Sequence, residues 1–453
     1  MKTKENYSPS EAAKFGLGGA ILYGINVVLG SGILLLPKTI YADLGPASII
    51  AMALCTGLVF LLALCFAEVA GYFDKNGGAY QYARASFGEK TAFVIGILSW
   101  FTVTVVWSAS ASGLSEILGV TFPVLAPFTT PLAVLIIIFL TFINLAGIKT
   151  VKIFTITVTI AKVVPMVLVG VIGIFFIRGG FQAGNWTPFV QTAEGSSVAK
   201  AMASTAMTVF YAFVGFESLP IVAGEIRNAK KNVPIAIIVS LLITSSIYIL
   251  LIATSISMLG PNLLDSSAPI QEAFAKIVGP WGYWFVAISA IVSLAGLNVG
   301  DSTHSPRMLE AIADSGALPE IIAYKDKNGT PKVAIIITAI VAALFALTGS
   351  FEVLASLSVV FYFFQYIPTC YSVLVLRKKL PGVKDQYRVP GGMIIPILAI
   401  GVSLWMILAD SLNNVLIAIV GIIIAVIVYY LLQMIKHKRQ NQRELNADYS
   451  ESE

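Results

Sequence analysis

The sequence predicts an all-α polytopic membrane protein of twelve transmembrane helices, a 5+5 inverted repeat plus two, with helices 1 and 6 broken. Three observations predict it. Hydrophobic residues make up 57% of the 453 and charged residues 12%, and the mean hydropathy is +0.86, a balance foreign to a soluble domain of this length. Apolar runs of roughly 20 residues, the length that crosses a hydrocarbon core, recur from residue 15 to residue 435. The first and sixth runs are interrupted in corresponding places, the pattern of a transporter with inverted repeats and a site near the midplane.

In chain order, a polar segment 1–14 precedes the first run, and no small-residue cleavage site follows that run, so it reads as a retained span. The spans fall near 15–40, 46–71, 91–118, 131–147, 151–177, 198–224, 233–259, 281–313, 332–348, 353–376, 393–410 and 413–435. Repeat one covers about 15–177, repeat two about 198–376, and helices 11 and 12 about 393–435. Only Gly147-Ile148-Lys149 separates the fourth and fifth spans. The linker 72–90 reads as partly structured, and Ala268 to Val278 as a short surface helix. The tail 436–453 is mixed in charge and reads as disordered.

Charge placement gives the orientation. With both termini on one side, all of the 29 Lys and Arg fall on that side except Lys38, Arg178, Lys200 and Lys276 outside and Lys162 within a span. The positive-inside rule then puts both termini in the cytoplasm and the protein in the cytoplasmic membrane. A net charge of +5 does not point to nucleic acid. Cys55, Cys65 and Cys370 sit in apolar runs and read as small core residues, and with His304 and His437 the only histidines no metal or cofactor motif emerges. No cluster of catalytic polar residues is visible, so the chain does not read as an enzyme; no water-lined polar row or filter loop suggests a channel.

The first interruption is Gly30-Ser31-Gly32, set where a spanning helix should be strongest. The second is Gly215-Phe216-Glu217-Ser218-Leu219-Pro220, whose proline removes a donor. Glycine and proline are also frequent in membrane helices, where they pack small faces together. It is the pair in register that favours a ligand site, because unwound backbone is tolerated in lipid only where it is buried or lines a cavity.

Several motifs together resemble the amino acid, polyamine and organocation (APC) superfamily, whose members have the LeuT-type fold. They are Gly30-Ser31-Gly32-Ile33; Phe66-Ala67-Glu68 with Gly77-Gly78-Ala79-Tyr80-Gln81-Tyr82-Ala83 and Phe87-Gly88; Phe213-Val214-Gly215-Phe216-Glu217; and Glu225-Ile226-Arg227-Asn228 with Asn232-Val233-Pro234. The resemblance covers 15–435. It implies that a substrate carboxylate rests on the backbone N–H groups and hydroxyl at Ser31, Gly32 and Ile33, near the positive end of a half-helix. Carbonyls at Val28, Tyr211 and Val214 would face the ammonium, with Tyr211 as an aromatic gate or, read plainly, a packing residue. Thr102 and Trp107 on the third span are implied pocket walls.

Ionisable residues inside the membrane are functional candidates because each is costly unless paired or neutral. Lys162 matches the lysine that sodium-independent relatives place where sodium-coupled ones hold an ion; it would brace the first helix or give up a proton, and its central position argues against snorkelling. Glu217 matches an acidic position of relatives that exchange arginine or polyamines. Glu68 reads as a structural tie to a helix terminus or a basic loop residue. Asp301 and His304 depart from the family pattern; one turn apart, they form a candidate hydrogen-bonded pair, a proton relay, a partner for Lys162, or a structural polar pair.

The expectation is a sodium-independent amino acid permease working by alternating access, as exchanger or proton symporter. An antiporter trading an amino acid for an amine is the alternative in the same fold. An apolar, aromatic pocket favours neutral amino acids, while Glu217 and Asp301 keep a cationic amino acid or a diamine open. The partners expected are this small-molecule substrate and membrane lipid, with no nucleic acid; the oligomeric state is not readable.

Overall fold

A computed structural model describes residues 14–30, 33, 37–146, 148–192, 197–326, 329–348, 351–381, 387–409 and 412–451. A chain in lipid must satisfy its backbone internally, and these residues do so as helices. The regular elements among them are all helical, apart from an isolated parallel bridge between Phe15 and Ile226.

Helix α1 (Leu17–Val28) stops at Leu29, where the backbone leaves helical geometry (φ −76°, ψ 89°). Ser31 and Gly32 lie outside the described residues, and α2 (Pro37–Leu44) follows. Next come α3 (Ser48–Ala70) and the short α4 (Ala79–Phe87), which supplies the structure expected in the linker after the second span. Helix α5 (Glu89–Thr121) starts after Gly88 at φ +90° with an acidic first turn, a favourable charge at a helix N-terminus. Then follow α6 (Thr129–Leu145) and α7 (Ile148–Gln182), so that Ile148 and Lys149, expected in a turn, already belong to a helix.

The second half opens with α8 (Val198–Phe213), capped by the Ser197 hydroxyl, and after four turn residues continues as the short α9 (Ser218–Ile221). Beyond it are α10 (Ala229–Leu259), α11 (Pro269–Val278), α12 (Pro280–Asp314), α13 (Glu320–Ala323), α14 (Lys332–Thr348), α15 (Phe351–Lys379), α16 (Ile394–Ala409) and α17 (Leu412–Glu451). Helix α11 is the surface helix expected there, and it turns Ile270, Ala273 and Phe274 inward. The tail departs from expectation: α17 runs through it to Glu451. Lys, Arg, Gln, Glu and Leu are all good helix formers, and a spanning helix already nucleated propagates through them at little cost.

Among the described residues, eight helical stretches are long and apolar enough to cross a membrane, with α1, α14 and α16 as shorter apolar helices. Helix α5 is the most enclosed of the eight and α17 the most exposed, turning Leu412, Leu416, Ile423 and Ile427 outward as a lipid-facing helix should. At the centre, α1 packs against α7, α10 and α12, and α12 against α5. Cys55, Cys65 and Cys370 are free and buried in the core.

Candidate functional site

Helix α1 gives out at Val28 and α8 at Phe213, and the two ends meet. Gly215 stands in the turn after α8 at φ +125°, a conformation side chains rarely adopt. A Cβ there would collide with the Val27 carbonyl oxygen and lie 2.7 Å from its carbon and 3.1 Å from Val28 N. Glycine at 215 is therefore what lets the two breaks touch.

Neighbouring helices hold the freed backbone. Lys162 of α7, fully buried, donates from Nζ to the carbonyls of Asn26 and Leu29, both at 2.6 Å. The Tyr248 hydroxyl of α10 lies 2.8 Å from the Val28 carbonyl oxygen and 2.9 Å from that of Ala212, one from each broken helix. From within α1, the Asn26 side-chain amide donates to the Gly296 carbonyl of α12 at 3.1 Å. Each of these donors finds a backbone carbonyl, which lipid could not supply.

Between the breaks, α5, α12 and α15 lies a cavity of about 20 Å³, room for roughly one water. Val28, Tyr211, Val214, Glu217, Asp301 and His304 all line it, so the structure brings together half of the twelve candidate site residues singled out in the sequence. Ile33 is buried but is not part of this lining, and Ser31 and Gly32 fall outside the described residues. Thr102 and Trp107 do not line the cavity; Val106 does. The reason is helical phase: one residue turns the chain by about 100°, which swings Trp107 into a separate apolar cluster with Ala133, Ile137 and Ala342. Thr102 shares the Val106 face one turn away, where its hydroxyl is bonded to the Leu98 carbonyl at 2.7 Å.

The two carboxylates are held differently. Glu217 Oε2 accepts from Gly215 N at 3.1 Å and from the Tyr366 hydroxyl at 2.9 Å, while Oε1 has no partner among the described residues. Asp301 Oδ2 accepts from the Ser110 hydroxyl of α5 at 2.7 Å. Asp301 and His304 do not form the hydrogen-bonded pair their spacing suggested: His304 Nε2 stands 3.9 Å from Asp301 Oδ1 and 3.5 Å from Ser218 Oγ. Asp301 does not pair with Lys162 either, whose ammonium is turned to α1. Ser110 offers the nearer donor.

Two further contacts involve or adjoin the residues of this lining. Tyr211, one of the lining residues, packs edge-on to Phe351, ring centroids 5.6 Å apart. Arg307 lies one turn beyond His304 on α12; its Nε meets Glu225 Oε1 at 2.5 Å and its Nη1 donates to the Thr303 carbonyl at 2.9 Å. Phe15 N donates to the Glu225 carbonyl at 2.8 Å and Arg227 N to the Phe15 carbonyl at 2.9 Å, joining the residues just before α1 to those after α9. Glu68 lies apart from the cavity and is the tie expected of it: Arg377 Nε and Nη2 both reach it at 2.6 Å, and Val389 N at 2.7 Å.

Asn26, Ser110, Tyr248 and Tyr366 were not singled out in the sequence. Their signal was faint but present: polar atoms inside apolar runs, which in membrane bundles face inward.

A family model described as amino acid permease matches residues 15–447. The methylthioribose transporter of Bacillus subtilis is 27% identical over 441 residues, 93% of each chain. The branched-chain amino acid permease of the same organism is 26% identical over 442 residues, again 93% of each. Cationic amino acid transporter 2, vacuolar, of Arabidopsis thaliana is 27% identical over 391 residues, 82% of this chain and 60% of that one. With a match that runs from the bridge at Phe15 into α17 and takes in both broken helices, this chain belongs to the amino acid permease family of multi-pass membrane transporters and is not an enzyme.

Proposed function

We propose that the protein is a sodium-independent secondary transporter of amino acids across the cytoplasmic membrane, working by alternating access as an exchanger or a proton-coupled symporter. Its architecture on this reading is the LeuT-type one. Twelve spans form two inverted repeats over 15–177 and 198–376 plus helices 11 and 12 over 393–435, and segments 1–14 and 436–453 are both cytoplasmic.

The observation that carries the reading is the Lys162 ammonium, 2.6 Å from the carbonyls of Asn26 and Leu29 at the end of broken α1. It supplies there the positive charge a bound sodium ion would bring, and it does so permanently attached to α7. We assign the substrate carboxylate to Ser31, Gly32 and Ile33, and its ammonium to the carbonyls of Val28, Tyr211 and Val214. The edge contact of Tyr211 with Phe351 supports Tyr211 as a gate. A cavity of about 20 Å³ admits no amino acid, so the elements around it must move apart to load one, which supports alternating access. Glu217, Asp301 and His304 are the groups available for proton coupling. The same two carboxylates favour the second reading, exchange of an amino acid for an amine.

Counterflow in proteoliposomes tests this. Labelled amino acid should accumulate when unlabelled amino acid is loaded on the far side, equally in sodium and in potassium buffer. Sodium-stimulated uptake would overturn the role given to Lys162, and flux without counterflow would indicate a channel.

A further inference from the structure

We propose that Asp301, with His304 and Glu217 beside it, is the subsite for the far end of the substrate, and that it takes a positively charged side chain, an ammonium or a guanidinium. This rests on the amino acid transport reading above and narrows it.

The argument is one of unanswered charge. Of the side chains lining the cavity two are acidic and one is an imidazole; among the described residues no lysine or arginine lines it. The neighbouring cations are already committed, Lys162 to the Asn26 and Leu29 carbonyls and Arg307 to Glu225 and the Thr303 carbonyl. Asp301 Oδ2 is held by Ser110, with Oδ1 3.9 Å from His304 Nε2, and Glu217 Oε2 is held by Gly215 N and Tyr366. The other oxygen of Glu217, in a residue only 2% exposed, has no hydrogen-bond partner among the described residues. His304 Nδ1, equally buried, has none there either.

A buried carboxyl group with an oxygen left unpartnered, as Glu217 has, must hold a proton or meet a cation. A substrate that ends in an ammonium or guanidinium brings that cation with it. One that ends in a methyl group leaves both carboxylates as they were, and a site built to hydrogen-bond a group discriminates strongly against the analogue that lacks it. Val106 and Leu297, also in the lining, suit the aliphatic stem of a lysine or arginine.

The experiment is counterflow in proteoliposomes with near-isosteric pairs on the full-length protein: labelled L-lysine against labelled L-norleucine, and labelled L-arginine against labelled L-citrulline. The cationic member of each pair should be taken up at least tenfold faster at equal subsaturating concentration. Asp301→Asn should shrink that ratio at least tenfold, and a size-exclusion profile in detergent checks that the variant is folded. If Asp301→Asn does not fold, thermal stabilisation of the wild-type protein by lysine and not by norleucine carries the same prediction. Uptake of norleucine and citrulline with lysine and arginine ignored overturns the subsite and leaves the amino acid reading intact. Uptake of a diamine alone, such as putrescine, upholds the subsite and overturns the amino acid reading. An unchanged ratio in folded Asp301→Asn overturns the assignment to Asp301.

Discussion

Replacing Gly215 with alanine isolates the contact between the two broken helices. At φ +125° a side chain meets backbone strain of about 1–3 kcal/mol. Its Cβ also meets Val27 and Val28 main-chain atoms, at 2.7 Å and 3.1 Å for the carbonyl carbon and the amide nitrogen, and main chain cannot rotate aside as a side chain can. Overpacking of this kind costs about 1–3 kcal/mol more. A total of about 2–6 kcal/mol follows, and it is relieved only by moving α1 and the 214–217 turn apart, which displaces Val28 and Glu217 from the cavity. Gly57→Ala is the matched control: it is exposed on α3 with nothing within 4 Å of the added Cβ, and gains about 0.5–1 kcal/mol in helix propensity. Heating detergent-solubilised protein and reading the surviving size-exclusion peak should give a clearly lower midpoint for Gly215→Ala and an equal or higher one for Gly57→Ala, with counterflow reduced at least tenfold in the former. If Gly215→Ala melts with the wild type and transports normally, the breaks do not need their close approach and the reasoning fails.

Lys162→Met should abolish counterflow while changing stability by no more than about 2 kcal/mol, because the lost bonds to Asn26 and Leu29 are offset by no longer burying an ammonium; uptake within twofold of wild type would refute the bracing role. Glu68→Ala strands Arg377 and the Val389 amide and should cost about 3–5 kcal/mol, read as a lower melting midpoint, with the KM of the protein that survives unchanged. Tyr248→Phe deletes the hydroxyl between the Val28 and Ala212 carbonyls and should cost about 1–3 kcal/mol by the same melting assay; a midpoint equal to wild type would mean that the bridge carries no energy.

Helices were legible in the sequence to the extent that apolar length and breakers announce them. The break in the first span was plain because Gly30 and its neighbours interrupt an apolar run, and the break near Gly215 because a carboxylate and a proline follow it. Which face of a helix looks into the cavity was harder to read. Trp107 and Val106 are neighbours in sequence yet belong to different surroundings, and α5 scatters Ser99, Thr102, Thr104, Ser108, Ser110, Ser112 and Ser115 around its circumference, so no single stripe fixes its rotation. Asp301 and His304 showed the limit of spacing arguments: three residues apart they share a face, but Ser110, 191 positions away in sequence, supplies the bond. The tail misled because polarity is a property of disorder and of exposed helix alike, and here an existing helix was already there to extend.

The Tyr248 hydroxyl carries a single proton and faces two carbonyl oxygens, at 2.8 Å and 2.9 Å. At any instant it donates to one of them, and the other contact is oxygen against oxygen without a hydrogen between. The arrangement is therefore frustrated at rest. Drawing the Val28 and Ala212 ends apart sacrifices no hydrogen bond, since the proton stays with whichever carbonyl remains near, and the repulsion at the other is released. One hydroxyl thus ties together the ends of both broken helices while its proton can answer only one of them fully.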